Sequence, residues 1–143
     1  AERAGKGETR TLDGVARGLP ALTRAFKLQR RLSRVGFDWT EIDDVVAKIA
    51  EEAAELAEAR AELSPDEVEE ETGDLLFAVA NLARHLGVDP EGALRRTNLK
   101  VERRFAAVED ALAATGKTAA DSTLGEMEAH WVQAKTAAKD RTG

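Results

Sequence analysis

Two pairs of carboxylates at helical spacing, Glu52 with Glu55 and Glu71 with Asp74, are the side chains in this sequence best suited to chemistry. The members of each pair stand three residues apart, which on a helix puts them on one side, and each pair borders an apolar stripe. From Ile49 to Ala83 the chain has eleven acidic residues and one base, Arg60, so lysines or arginines one turn away cannot neutralise the acids. A divalent cation can. Ligands made only of oxygen suit Mg2+, or Mn2+ as its substitute, rather than zinc. A di-iron centre would need Glu-x-x-His pairs, but Leu82 precedes His85 and Met127 precedes His130 at that distance. Both histidines are therefore expected to be surface or partly buried polar residues.

The elements that must position these acids are all helical. Strand-like alternation is absent, and each of the three prolines, Pro20, Pro65 and Pro90, suits the first position of a helix. Ser64 with Glu67 and Thr123 with Glu126 have the spacing of capping boxes. The pattern predicts helices over about 20–34, 41–63, 65–86, 90–115 and 123–138. In the second of these, Ile42, Val45, Ile49, Ala53 and Leu56 form the apolar stripe, with Glu58 and Glu62 on a solvated face. In the third, Asp66, Glu67, Glu69 and Glu70 occupy the first turns, where negative charge meets the helix dipole favourably. Glu71 and Asp74 lie deeper, and no charge follows until Arg84, as expected of a segment buried on several sides. Its stripe of Leu75, Leu76, Val79, Leu82 and Ala83 is wider than one partner helix requires, which predicts a dimer. Residues 1–18, with Gly5, Gly7, Gly14 and Gly18 and little apolar content, are expected to be a linker or N-terminal extension, leaving 19–143 as the folded domain of a longer protein.

The fourth helix carries the complementary charge. Leu94, Asn98, Val101, Phe105, Val108 and Leu112 recur at alternating steps of four and three, placing Asn98 in an apolar seam either as a register-fixing amide or as a contact to phosphate. Lys100 and Arg104, one turn apart, can grip a polyphosphate or form a solvated basic face. Trp39 and Trp131, the only tryptophans, are each a candidate for stacking on a base or for a place at the end of the bundle core.

Taken together, Lys48-Ile-Ala-Glu51-Glu52-Ala-Ala-Glu55-Leu, Glu70-Glu71-Thr-Gly-Asp74-Leu-Leu-Phe-Ala-Val-Ala-Asn81-Leu and Asn98-Leu-Lys100-Val-Glu-Arg-Arg104-Phe resemble the MazG family of nucleoside triphosphate pyrophosphohydrolases over about positions 20–135. The order of pieces, with a final tryptophan at Trp131, is similar to the C-terminal of the two tandem domains in long MazG proteins. The resemblance implies an all-α bundle acting as a homodimer, with Mg2+ held by Glu52, Glu55, Glu71 and Asp74. It implies hydrolysis of nucleoside triphosphates between the α and β phosphates, releasing nucleoside monophosphate and pyrophosphate; because stacking on a tryptophan tolerates any base, broad base specificity is expected. Glu51 would position or deprotonate the attacking water, and Lys100 and Arg104 would neutralise the phosphate tail. Lys48, Asn81, Asn98 and Trp131 would complete the substrate contacts. A relative restricted to dUTP or phosphoribosyl-ATP, and a non-catalytic helical interaction module, are the alternatives.

Composition agrees with this class. The 143 residues suffice for one domain with a core, and a net charge of −6 argues against a nucleic-acid polymer as partner. The absence of cysteine excludes disulfides and thiolate metal sites. Nothing resembles a signal peptide or a membrane-spanning run, so the expected location is cytoplasmic.

Overall fold

The structure, a computed structural model, describes residues 9–142, with side chains described as far as Lys139. The expected all-α class holds. Among the described residues five α-helices follow one another: α1 (Ala21–Arg34), α2 (Ile42–Ala59), α3 (Pro65–His85), α4 (Pro90–Ala113) and α5 (Leu124–Thr142), with a short 3-10 turn at Ala119–Asp121 before α5. No strand occurs among the described residues, and none of their helices is long and apolar enough to cross a membrane. The chain divides into two compact units, Ala1–Ala93 and Leu94–Gly143.

In the first unit α3 packs against both α1 and α2. Local chemistry sets its start. Ser64 Oγ accepts from the Glu67 amide at 3.2 Å and Glu67 Oε1 accepts from the Ser64 amide at 3.0 Å, with Pro65 opening the helix. The two capping bonds also hold the Glu67 carboxyl below the usual glutamate range. Pro20, expected to open α1, instead precedes it, its carbonyl accepting from the Arg24 amide at 2.9 Å. The predicted second helix is also too long. It stops at Ala59, where the Glu62 and Leu63 amides both turn back to the Ala59 carbonyl, at 2.9 and 3.1 Å, and deliver the chain to the Ser64 cap.

The end of α1 shapes the site. Gly36 adopts φ +87°, a left-handed conformation that glycine alone enters without penalty. It lets the Phe37 amide reach back to the Leu32 carbonyl at 3.0 Å and turns Phe37-Asp38-Trp39 across the end of the helix. The upstream segment is tied to α1 as well. Arg31 Nη1 donates to the carbonyls of Asp13 at 2.7 Å and Thr11 at 3.3 Å, and Val15 is buried. Residues 1–8 of the expected linker lie outside the described residues.

The second unit repeats the capping chemistry. Thr123 and Glu126 exchange bonds at the start of α5 (Glu126 N to Thr123 Oγ1, 3.2 Å; Thr123 N to Glu126 Oε1, 3.4 Å), and Lys117 Nζ reaches Glu126 Oε2 at 2.7 Å. Val108 and Leu112 are fully buried. The rest of the expected α4 seam is not: Leu94, Asn98, Val101 and Phe105 are exposed. Heptad spacing places residues on one face of a helix and does not say what covers that face. The same correction applies to α3, where Leu76, Phe77 and Val79 are exposed although the uncharged run predicted burial; its fully or nearly buried residues are Ala78, Ala80 and Asn81.

Candidate functional site

A pocket of about 510 Å3 opens in the first unit where the Phe37–Trp39 turn crosses the three helices, a size within the range of small-ligand sites. Gln29 and Leu32 of α1 line it, with Lys48 and Glu52 of α2 and Asp74, Phe77, Asn81 and Arg84 of α3. Phe37 and Trp39 supply aromatic wall. Trp39 is 42% exposed, so its place is on the pocket wall and not in a bundle-end core. An exposed indole beside polar groups can stack on a flat ring.

Three of the lining residues, Asp38, Asn81 and Arg84, belong to a network that only the fold assembles. Asp38 accepts from Arg84 Nη2 through Oδ2 and pairs with His85 Nε2 through Oδ1 at 3.0 Å. Arg84 in turn donates to Asn81 Oδ1, from Nε at 3.2 Å and Nη2 at 2.9 Å. His85 is thus a partly buried structural partner, and His130 meets only Gln133 Oε1, at 3.3 Å. Burial alone would push the Asp38 carboxyl up; the hydrogen bonds and charges of Arg84 and His85 outweigh it and hold Asp38 below the ordinary aspartate range. A depressed carboxyl stabilises the fold fully above its unfolded pKa and loses that contribution as pH falls through its lower folded pKa. Asp38→Asn should therefore cost about 1–3 kcal/mol at pH 7, and its deficit against wild type should narrow below about pH 4. Urea unfolding at both pH values measures this; a deficit of the same size at pH 3 would remove the ion pair as its cause.

The four candidate metal ligands are only partly brought together. Glu52 and Asp74 line the pocket, whereas Glu55 and Glu71 are exposed outside its lining. Among the described residues no group of three or more histidine, aspartate or glutamate side chains stands close enough to hold a metal ion. Glu52 nonetheless fits one. Contrary to the expectation that no base one turn away neutralises these acids, its Oε1 pairs with Lys48 Nζ at 3.5 Å, Lys48 standing just before the acid-rich stretch. Its Oε2 is buried with no hydrogen-bond partner among the described residues, an anionic oxygen that a cation or a charged donor would satisfy. Asp74 makes no ion pair or hydrogen bond with a described residue. Glu51 is exposed on α2, outside the pocket lining.

In the second unit, the Arg104 guanidinium lies over the Trp131 ring, 5.7 Å from its centroid, in cation–π range. Both are half-buried, as is Lys100, while Asn98 is exposed. The two residues assigned to phosphate and base thus form one stacked group.

Gln29, Asp38 and Arg84 were not among the residues expected at a site. A signal for Gln29 was present: it stands in the α1 stripe Leu22, Phe26, Gln29, Leu32, as an amide among apolar residues. None existed for Asp38, whose partners lie 46 and 47 positions away.

Residues 41–108 match the family described as the MazG nucleotide pyrophosphohydrolase domain, a span that holds all four acids, Lys48, Asn81, Asn98, Lys100 and Arg104. The chain is 50% identical over 136 residues to the nucleoside triphosphate pyrophosphohydrolase of Escherichia coli (strain K12), and 38% identical over 135 residues to the nucleoside triphosphate pyrophosphohydrolase/pyrophosphatase MazG of Thermotoga maritima. Each alignment covers 94% of this chain and 52% of the relative, so the chain spans about half the length of these proteins. A Bacillus subtilis protein, YabN, is 41% identical over 130 residues, 26% of its length. With the helical order, the acid pairs and the matched segment in agreement, this chain belongs to the MazG family.

Proposed function

We propose that this chain hydrolyses nucleoside triphosphates of several bases to nucleoside monophosphate and pyrophosphate, with Mg2+ as cofactor. The observation that carries the reading is Glu52, which lines a nucleotide-sized pocket with Asp74 and Lys48 inside the family-matched segment and keeps a buried carboxylate oxygen without a hydrogen-bond partner among the described residues. Glu52, Glu55, Glu71 and Asp74 are the residues that would hold the ion, Mn2+ being the expected substitute; when bound it supplies charge neutralisation for the phosphates and lowers the pKa of a coordinated water. Glu51 is assigned to orienting or deprotonating that water. Lys48, Lys100 and Arg104 are assigned to phosphate oxygens, where charge develops as pyrophosphate leaves. Asn81 and Asn98 add hydrogen bonds, and Trp131 is assigned to a substrate contact, where its ring already carries the Arg104 guanidinium. A homodimer is part of the reading, supported by the exposed apolar stripe of α3. A cytoplasmic site of action follows from the substrate.

The test is product analysis. With Mg2+ and each common nucleoside triphosphate, the purified chain should release monophosphate and pyrophosphate in equal amounts, and excess chelator should stop it. Release of orthophosphate and diphosphate would overturn the bond assignment, and turnover undiminished in chelator would overturn the metal. No hydrolysis of any triphosphate would leave a non-catalytic helical module.

A further inference from the structure

Two buried amides in the pocket have fixed and opposite polarity. Gln29, 3% exposed, donates from Nε2 to the Phe77 carbonyl at 2.8 Å. A carbonyl can only accept, so the orientation of this amide is set by its partner. Its Oε1 is then an acceptor, buried and without a protein partner. Such groups are rare in folded proteins and call for a physical reason. Asn81, 4% exposed, is fixed in the same way with the opposite sense. Its Oδ1 receives Arg84 Nε and Nη2, a guanidinium can only donate, and Nδ2 is left as a donor with no hydrogen bond. Arg84 is itself anchored on Asp38. Two residues that line the pocket thus leave one acceptor and one donor that cannot exchange roles, beside the rings of Phe37, Trp39 and Phe77.

A flat heteroaromatic ring with an N–H next to an acceptor is the complement of that surface. We propose that Gln29 and Asn81 read the base-pairing edge of the substrate nucleobase in this pocket, with Trp39 stacked on its face; this deepens, and rests on, the reading of the chain as a nucleoside triphosphate hydrolase. Enzymes that read single bases use this combination of edge hydrogen bonds and aromatic stacking. Each common base has an N–H donor beside an acceptor: the amines of adenine and cytosine beside a ring nitrogen, the ring N–H of guanine and uracil beside a carbonyl. The pair therefore accepts all four and rejects a ring that lacks the N–H. Asp38 and Arg84 are positioning residues, acting through the Asn81 amide.

Purine riboside triphosphate tests this, because it keeps the rings, ribose and phosphates of ATP and lacks only the amine. Wild type should show kcat/KM for ATP roughly tenfold or more above that for the analogue, the scale of one lost hydrogen bond to a buried group. Gln29→Leu should lower kcat/KM for ATP about tenfold more than for the analogue. A wild-type ratio near one overturns the proposal without any variant, and so does a variant whose loss is equal for both substrates, since a merely structural role of Gln29 would affect them alike. Equilibrium dialysis with adenosine and purine riboside separates this from the parent reading. A preference for adenosine that Gln29→Leu erases supports the base pocket even if no triphosphate is hydrolysed, and equal retention of the two nucleosides by wild type refutes it even if hydrolysis is normal.

Discussion

Asp74→Asn should reduce triphosphate turnover by roughly two orders of magnitude or more while leaving the folded chain without metal as stable as wild type. Asparagine keeps the shape of aspartate and removes its negative charge, which is what a hard-cation ligand contributes. The stability half of the expectation comes from the structure. Asp74 is exposed, lines the pocket and has no ion pair or hydrogen bond with a described residue to lose, so the substitution should fall within the ±0.5 kcal/mol or so of ordinary surface changes. Added Mg2+ should raise the thermal midpoint of wild type, because it binds only the folded state, and should raise that of the variant less. Scanning calorimetry with and without Mg2+, beside pyrophosphate release, reads both halves. A variant that is less stable without metal and nearly fully active would make Asp74 a structural residue and withdraw α3 from the metal site.

What the sequence could and could not reveal divides along interaction range. Ser64 with Glu67 and Thr123 with Glu126 locate helix starts through bonds spanning three residues, and Pro65 and Pro90 through their own fixed φ, so the starts were legible. The end of α2 was not, because its Ala and Glu residues favour helix past the point where the chain must turn into the Ser64 cap. The acid pairs were visible as spacing. Their division into Glu52 and Asp74 at the pocket, and Glu55 and Glu71 outside it, depends on how α2 and α3 rotate against each other, which periodicity leaves open. Asp38, Arg84 and His85 were beyond reach in another sense. Each is unremarkable in its own segment, and the link exists only because Gly36 turns the end of α1 back toward the end of α3. Gln29 was legible in the sequence as an amide inside an apolar rhythm, as Asn98 is; of the two, Gln29 is buried and Asn98 is exposed.

Leu76→Glu or Val79→Glu should convert a dimer into a monomer. Leu76, Val79 and Ala83 of α3 and Leu86 at its C-cap follow at steps of three, four and three, one face of a helix. Leu76 is 54%, Val79 45% and Leu86 58% exposed, a contiguous apolar stripe of the kind that marks a contact surface. A two-fold interface would use each residue twice. Burying a leucine or valine fully contributes about 1.5–3 kcal/mol, and a glutamate in its place forfeits that and must also be dehydrated. Two copies of the change should weaken association by about 3 kcal/mol or more, over a hundredfold in Kd. Sedimentation at micromolar concentration should find wild type dimeric and both variants monomeric with helical content retained, while Glu58→Lys, on the solvated face of α2, should remain a dimer. If turnover needs both copies, the activity lost in Leu76→Glu should return as protein concentration is raised, because mass action restores the pair. A wild-type monomer at that concentration would leave the α3 stripe without its partner, and the homodimer would then have no support from this chain.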